Sequence, residues 1–311
     1  MSRFANRMKP MLGAALFACA CLCFGDSIEL SNGKILKGDL SGRKAQYVSI
    51  TRKENQSEIE IRVESDDILR IEFSDAFTKQ EAIDSFHSAD LYQAISLLEP
   101  LIARRIPYID LLSEEDERLF VILLESYRKS GRGSDCLEHA KLWQTKLQAP
   151  QTLSDIQELQ IVASWEMQRP EEAAYYAQRW IDSGQSARES SIAWNVLAEN
   201  ALESGQANLA LWIALNPIVF SQVNPARYLA QSYEVAIVAA HRLRHDAYAK
   251  ELLDEMRARK LPWTIDSPRV ATLEKLDSIE SNNEKISPFH STSNSQQARS
   301  ANTLSKLVGR P

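Results

Sequence analysis

The stretch Ala193-Trp194-Asn195-Val196-Leu197-Ala198-Glu199-Asn200-Ala201, followed by Ser204-Gly205, Ala210, Ala214 and Asn216-Pro217, decides the fold. A bulky residue is followed by small or aliphatic residues three and four positions later, then a break, then small residues four apart. This is the signature of a helix, a tight turn and a second helix packed closely on the first. A second copy sets Phe120, Leu123, Leu124 and Tyr127 before Ser130-Gly131, with Cys136 and Ala140 behind. A third sets Tyr233, Ala236, Ile237 and Ala240 before Arg244-His245, with Ala249 and Leu253 behind.

The breaks fall near Ala89-Asp90, Gly131, Arg169, Gly205 and His245, roughly 36 to 42 residues apart, the period of a helical solenoid. They predict five helix pairs over residues 77–262. The first helices cover Lys79–Ser88, Glu115–Lys129, Ser154–Met167, Arg188–Glu203 and Ala226–Arg244. The second helices cover Tyr92–Arg104, Ser134–Leu147, Pro170–Asp182, Gln206–Leu215 and Asp246–Lys260. Pro170 suits a first helical turn, where its missing N–H costs nothing, and Ser113 with Asp116 makes a capping arrangement. Ala94, Ala174, Ala210 and Ala249 are the expected points of close helix approach. Trp165, Trp180, Trp194, Trp212, Tyr127 and Tyr233 are expected to fill the space between, each contributing about 2–3 kcal/mol of transfer free energy.

This pattern resembles the tetratricopeptide repeat family and its half-repeat variants, most clearly over Phe120–Ala140, Trp194–Pro217 and Tyr233–Leu253. The units exceed the 34-residue period of that family, Arg169 and His245 stand where its turn glycine is expected, and only Pro217 approximates its closing proline. The resemblance implies an α-solenoid whose first helices line a concave surface that holds extended or helical peptides. Offset from the packing residues places Arg128, Glu199, Glu203, Glu234, His241 and Arg242 near that surface.

Residues 26–74 change to a period of two. Ile28 and Leu30 alternate with polar residues before the hairpin signal Asn32-Gly33. Ile35 to Leu40, Val48/Ile50, Ile59/Ile61/Val63 and Leu69/Ile71/Phe73 continue as further strands. Five strands in so short a span predict a small, strongly bent sheet or barrel. The order Asp26-Ser27-Ile28-Glu29-Leu30-Ser31-Asn32-Gly33, Leu36-Lys37-Gly38 and Asp66-Asp67-Ile68-Leu69-Arg70-Ile71 resembles the SH3-like or Sm-like modules that follow signal peptides in bacterial envelope proteins. The whole is therefore a mainly α chain: a helix-pair solenoid preceded by a five-stranded β module.

Residues 1–25 read as a secretory signal, with basic Arg3, Arg7 and Lys9 before the apolar run Met11 to Phe24. That run is too short to span about 30 Å of hydrocarbon. Leu16-Phe17-Ala18-Cys19 resembles a lipoprotein cleavage box, with Phe17 as a bulky departure, so Cys19 is the candidate lipid anchor. The expected location is the periplasm or cell envelope. Cys136 alone lies outside the signal, so packing rather than disulfides must supply stability. Ser267-Pro268 opens a capping helix expected over 263–281, with Val270, Leu273, Leu276 and Ile279 on one side, and 282–311 has the composition of a disordered tail.

The formal net charge of the 311 residues is −6, and it becomes −9 once Arg3, Arg7 and Lys9 leave with the signal. Phosphate binding needs concentrated positive charge, so nucleic acid is not an expected partner. His241 and His245 have metal-ligand spacing, but arginines flank them and no glutamate follows His241. Cys136 and His139 could touch, yet Cys136 occupies a packing position. Gly131-Arg132-Gly133-Ser134 lacks the ending of a phosphate loop. No catalytic residue, cofactor or metal is expected. The reading is a non-enzymatic scaffold or adaptor of the bacterial envelope with a protein or peptide partner. The alternatives are a glycan or peptidoglycan reader built on the β module, where Tyr47 and Phe73 are the available aromatics, and an enzyme with scattered residues.

Overall fold

The computed structural model describes residues 25–54, 57–184, 190–220, 227–262 and 271–272. Five strands come first: β1 (Asp26–Leu30), β2 (Ile35–Lys44), β3 (Tyr47–Glu54), β4 (Ser57–Glu64) and β5 (Ile68–Glu72). Helices follow in pairs: α1 (Ala76–His87) with α2 (Leu91–Arg105), and α3 (Glu114–Lys129) with α4 (Gly133–Trp143). Then come α5 (Pro150–Glu166) with α6 (Pro170–Asp182), α7 (Ile192–Glu203) with α8 (Ala207–Phe220), and α9 (Leu229–Arg242) with α10 (Asp246–Ala258). A 3-10 turn, Ile106–Leu111, links the first pair to the second. The architecture is the expected helix-pair solenoid behind an antiparallel sheet. The expected signal up to residue 24, the expected tail and all of the expected capping helix but Ala271 and Thr272 lie outside the described residues.

One turn geometry is used in all five pairs. Ala89, Gly131, Gln168, Gly205 and Arg244 take positive φ of 56° to 81°. The next residue in each case (Asp90, Arg132, Arg169, Gln206 or His245) donates its N–H back across the turn to Ser85, Tyr127, Ser164, Ala201 or Ala240, at 2.8–3.0 Å. This closure satisfies a carbonyl that the ending helix leaves without a partner. Five residues after the left-handed position stands a small, fully buried side chain: Ala94, Cys136, Ala173, Ala210 or Ala249. Eleven residues before it stand Phe120, Trp194 and Tyr233 in three of the pairs, all buried.

That frame corrects the third and fifth pairs by one position, with Arg244 rather than His245 in the left-handed turn of the fifth. In the third the turn residue is Gln168 rather than Arg169, and the close approach is made by Ala173, while Ala174 is only half-buried. Glycine marks the turn only in the second and fourth pairs, so the sequence carries no sharp marker in the third and fifth. Pro217 was expected to close its unit, yet α8 runs through it to Phe220. Pro217 and Ile218 are buried in the α8–α9 core, and that packing holds the helix beyond the hydrogen bond the proline removes. Trp180, Trp194, Tyr127 and Tyr233 are buried as expected, but Trp212 is 41 % exposed. Trp143 takes a core position instead, meeting Phe120 edge-on at 4.9 Å. Cys136 is buried, and burial pushes its thiol up to about 12, which keeps it protonated and unreactive. His139 stacks between Tyr127 and Trp143 rather than pairing with it.

The sheet order is β4-β3-β2-β1-β5, antiparallel throughout. The Asn32-Gly33 turn forms, with Gly33 at φ 80° and the Asn32 side chain accepting from the Lys34 N–H at 2.9 Å. β2 pairs with β1 through its first half and β3 through its second, so it bends between them. Gly38 sits at that bend, where a Cβ would lie 2.3 Å from the Thr51 carbonyl oxygen. The expected inward set Leu69/Ile71/Phe73 is corrected: Ile68 and Ile71 are buried, whereas Leu69 is 67 % exposed. A register shift at Glu29/Leu30 breaks strict alternation along the β1–β5 pair. Ile59 is also exposed, because the outer end of edge strand β4 runs beyond the core.

The β module does not stand apart from the helices. Its core of Ile28, Val48, Ile50, Val63, Ile68 and Ile71 is completed by Tyr108 from the 3-10 turn, with Leu111 packed beside it. Ion pairs surround this join. Asp26, fully buried, accepts from the N–H groups of Leu40 and Ser74 at 3.0 and 2.8 Å and from Arg104 at 2.6 Å. Arg105, 1 % exposed, meets both oxygens of Asp75 at 2.8 Å, Asp116 at 3.1 Å and the Phe73 ring at 4.3 Å. Arg43 of β2 bridges to Asp110 and to the Pro107 carbonyl.

Two stability outcomes follow from these turns and ion pairs. The Gly131 position has open space around a built Cβ, so Gly131→Ala costs only backbone strain, about 1 kcal/mol, while Gln168→Gly is neutral or stabilising by up to about 1 kcal/mol. Urea midpoints of the two variants check the opposite signs. Arg105→Ala leaves Asp75 only Arg104 at 3.3 Å and Asp116 only Lys79 at 3.4 Å as ion-pair partners and lowers stability by about 3 kcal/mol, whereas the exposed Arg132→Ala costs less than about 1 kcal/mol. Equal losses in the two arginine variants would contradict a buried join.

Candidate functional site

Neighbouring odd-numbered helices touch along the series α1, α3, α5, α7, α9, and the even-numbered ones make no comparable contacts. The stack therefore curves with the odd helices inside, and these five supply the concave surface. Polar side chains tie them together. Asn195 of α7 donates to the Tyr228 carbonyl at 2.9 Å and accepts from Ser232 of α9 at 2.6 Å. Asn195 and Ser232 are both buried, where an unmade hydrogen bond would cost about 1–3 kcal/mol.

Arg128 lies on α3 and is mostly buried, donating to the two oxygens of Glu125 at 2.7 and 2.9 Å and to Glu166 of α5. It ties the second pair to the third and stands apart from the other five residues expected at the surface. Glu158 of α5 is 5 % exposed and receives Arg227 at 2.7 Å. Burial pushes its carboxyl up to about 7, against the pull of Arg227, whose side chain is 58 % exposed and keeps much of its hydration. The Ser190–Arg227 bridge and the Ser191 hydroxyl bonded to the Arg227 carbonyl at 3.0 Å hold that arginine in place.

Four of the expected residues meet at one place. Glu199 and Glu203 of α7 with His241 and Arg242 of α9 line a groove of about 360 Å³, together with Leu202, Val238 and Thr272. Arg242 also donates to the Leu202 carbonyl at 2.7 Å, satisfying the end of α7, and His241 Nδ1 lies 2.6 Å from Asp246. Glu203 is exposed, Glu199 is buried, and Glu234 lies on α9, buried to 1 % exposure. Neither of these buried carboxylates is without a partner. The groove can present carboxylates beside an apolar strip, a combination suited to a basic, amphipathic segment.

Sequence reasoning missed Glu158, Asn195 and Ser232. Their signal was polar residues inside otherwise buried helix faces, as in Ile156-Gln157-Glu158-Leu159-Gln160-Ile161. On the β module, the Phe73 ring is covered by Arg104 at 5.6 Å and Arg105 at 4.3 Å, while Tyr47 is exposed. Among the described residues no helix is long and apolar enough to cross a membrane, and no group of three His, Cys, Asp or Glu is placed to hold a metal ion.

No family model and no curated protein matches the chain. Solved structures do. A kinesin light chain-like protein of nearly identical TPR-like repeats from Podosopora anserina superposes with a TM-score of 0.46 at 17% identity, over 60% of this chain and 94% of that one. The MamA protein gives a TM-score of 0.44 at 12% identity, covering 61% of this chain and 97% of its own. PilW, described as a widely conserved type IV pilus biogenesis factor, gives 0.37 at 15% identity, covering 64% and 98%.

Glu158 provides a pH test of the inner surface. Its folded carboxyl holds a proton to about pH 7, whereas the unfolded group releases it near 4.5. Its contribution is therefore complete below pH 4.5 and lost as pH rises to 7, because the folded state binds the extra proton. Relative to the wild type, Glu158→Gln should lose less stability between pH 5 and 7.5, by roughly 1–3 kcal/mol. Urea titrations of both proteins at the two pH values measure this, and parallel curves would place the titration of Glu158 elsewhere.

Proposed function

We propose that the protein is a non-enzymatic scaffold that holds a protein or peptide partner on its concave surface. The observation that carries this reading is the groove between α7 and α9, where Glu199, Glu203, His241 and Arg242 converge beside Leu202 and Val238. Its partner is a segment with basic and apolar side chains on one face. Residues 1–25 deliver the chain to the periplasm or cell envelope, with Cys19 as the lipid anchor if cleavage occurs there. The coverage of Phe73 by two arginines weighs against the β module as a glycan reader.

In-cell crosslinking tests the reading. A photo-crosslinking residue placed at Glu203, in the groove, should trap a discrete protein from the envelope fraction, and one at Tyr175, exposed on α6, should not. Charge reversal at Glu199 should reduce the Glu203 product at least severalfold. Identical products from both positions, or none from Glu203, would count against a groove-borne partner. Mass measurement of the recovered chain, starting near Asp26 or at a modified Cys19, reports on export in the same preparation.

A further inference from the structure

The sheet has two edges, and they are guarded differently. β5, at one edge, is five residues long, pairs with β1 through a register shift at Glu29/Leu30, and lies against the 3-10 turn that carries Tyr108. Short length, a bulge and a covering segment all protect an edge strand from further pairing. β4, at the other edge, has none of these three. It is eight residues long and, among the described residues, is hydrogen-bonded to β3 alone. That register runs unbroken from Tyr47↔Glu64 to Glu54↔Ser57. β4 contains no proline or glycine, and the face that carries Ile59, Ile61 and Val63 has no charge on it. Alternate residues of an outermost strand turn their N–H and C=O groups away from the sheet, so β4 presents backbone donors and acceptors to a further strand.

The sequence of β4 is complementary to itself. Two copies set antiparallel about Ile61 place Ile61 opposite Ile61, Ile59 opposite Val63 and Glu60 opposite Arg62, the last two pairs occurring twice by symmetry. The next registers that keep the same faces together set Glu60 against Glu60 or Arg62 against Arg62, so charge selects the register centred on Ile61. Glu60 and Arg62 are both exposed and bridge each other at 3.3 Å along their own strand, a contact that pairing exchanges for two cross-strand ones. One like-charged pair remains, Glu58 with Glu64, at the ends of the match. Each already has a partner in its own sheet, since Lys53 lies 3.8 Å from Glu58 and the Tyr47 hydroxyl donates to Glu64 at 3.4 Å. Ile59, 43 % exposed where β4 runs beyond the core, gains Val63 of the second copy as a neighbour.

We propose that β4 is a self-association edge, through which two copies of the chain join into one continuous antiparallel sheet about a two-fold axis at Ile61. The occupant is a second copy because the alternating charges of the strand answer themselves. It offers its own β4 rather than β5, which is short, bulged and covered. The dimer carries two α7–α9 grooves, so a partner with two binding segments is held more tightly than either groove alone could hold it. Pairing along one eight-residue strand is a small interface of the transient class, and a dissociation constant of about 10–100 µM is expected.

Sedimentation velocity of the full chain tests this, and the protein should pass from monomer to dimer as its concentration crosses that range. Arg62→Glu or Glu60→Arg alone sets like charges opposite each other twice and should weaken the dimer by about tenfold or more. The double variant, Glu60→Arg with Arg62→Glu, restores both pairs and should return the affinity to within about threefold of the wild type. Both side chains are exposed, so the urea midpoints of all three variants should stay with that of the wild type. A monomer at every concentration, single variants that dimerise like the wild type, or a double variant no better than the singles would overturn the proposal. A photo-crosslinking residue at Ile59 should trap a second copy in cells, and capture of a different protein in its place would also overturn it. None of these outcomes bears on the groove, whose reading stands or falls with crosslinking at Glu203.

Discussion

A chain reverses most compactly between two closely packed antiparallel helices through a residue of positive φ, which turns a following N–H back onto an unpaired helix carbonyl. Here that geometry recurs at Ala89, Gly131, Gln168, Gly205 and Arg244, at intervals of 42, 37, 37 and 39 residues. A small buried residue always follows five positions later, so each second helix meets its first at the same depth. The identity of the turn residue varies while its conformation does not. Three pairs accept the strain of a side chain in the left-handed region, which the packing of five stacked pairs can outweigh although an isolated pair could not.

The curvature follows from which helices touch. Inner helices meet through hydrogen bonds and ion pairs such as Asn195–Ser232 and Arg128–Glu166, while outer helices spread apart. Polar ties suit this surface because they fix the separation of neighbouring repeats without filling it. Arg242 shows the economy of the arrangement. The same guanidinium closes the end of α7 and lines the groove, so the shape of the groove is coupled to the stacking of the last two pairs.

The helix pairs were legible because their information is local. Ala193–Ala201 and Ala210/Ala214 repeat a spacing that only close-packed helices need. The third and fifth pairs slipped by one residue because Gln168 and Arg244 take the left-handed turn without glycine to mark it. The β5 face was misread because a register shift opposite Glu29/Leu30 interrupts alternation, and nothing in either strand alone encodes it. Four of the six expected surface residues do converge, since helical offset places them on one face. Arg128 shares the offset but is held by Glu125 and by Glu166 of the next pair, and Glu234 is buried, information that resides in the stacking rather than in the helix. The join of Asp26 with Arg104 and of Asp75 with Arg105 spans 78 and 30 residues, and pairings at that distance leave no periodic trace.

Tyr108 closes the core of a sheet whose last strand ends at Glu72. A chain that emerges amino-terminus first therefore presents all five strands before the residue that completes their core exists outside the exit. Until α2 and the turn after it have followed, Ile28, Ile50 and Ile71 share an interior with one wall missing, and Asp26 and Asp75 await their arginines. The sheet becomes a finished unit only when the first helix pair does. Slow elongation through residues 73–111 would lengthen the interval in which unpaired strand edges can meet a second chain, so the order of synthesis and not only the final contacts governs how cleanly this protein folds.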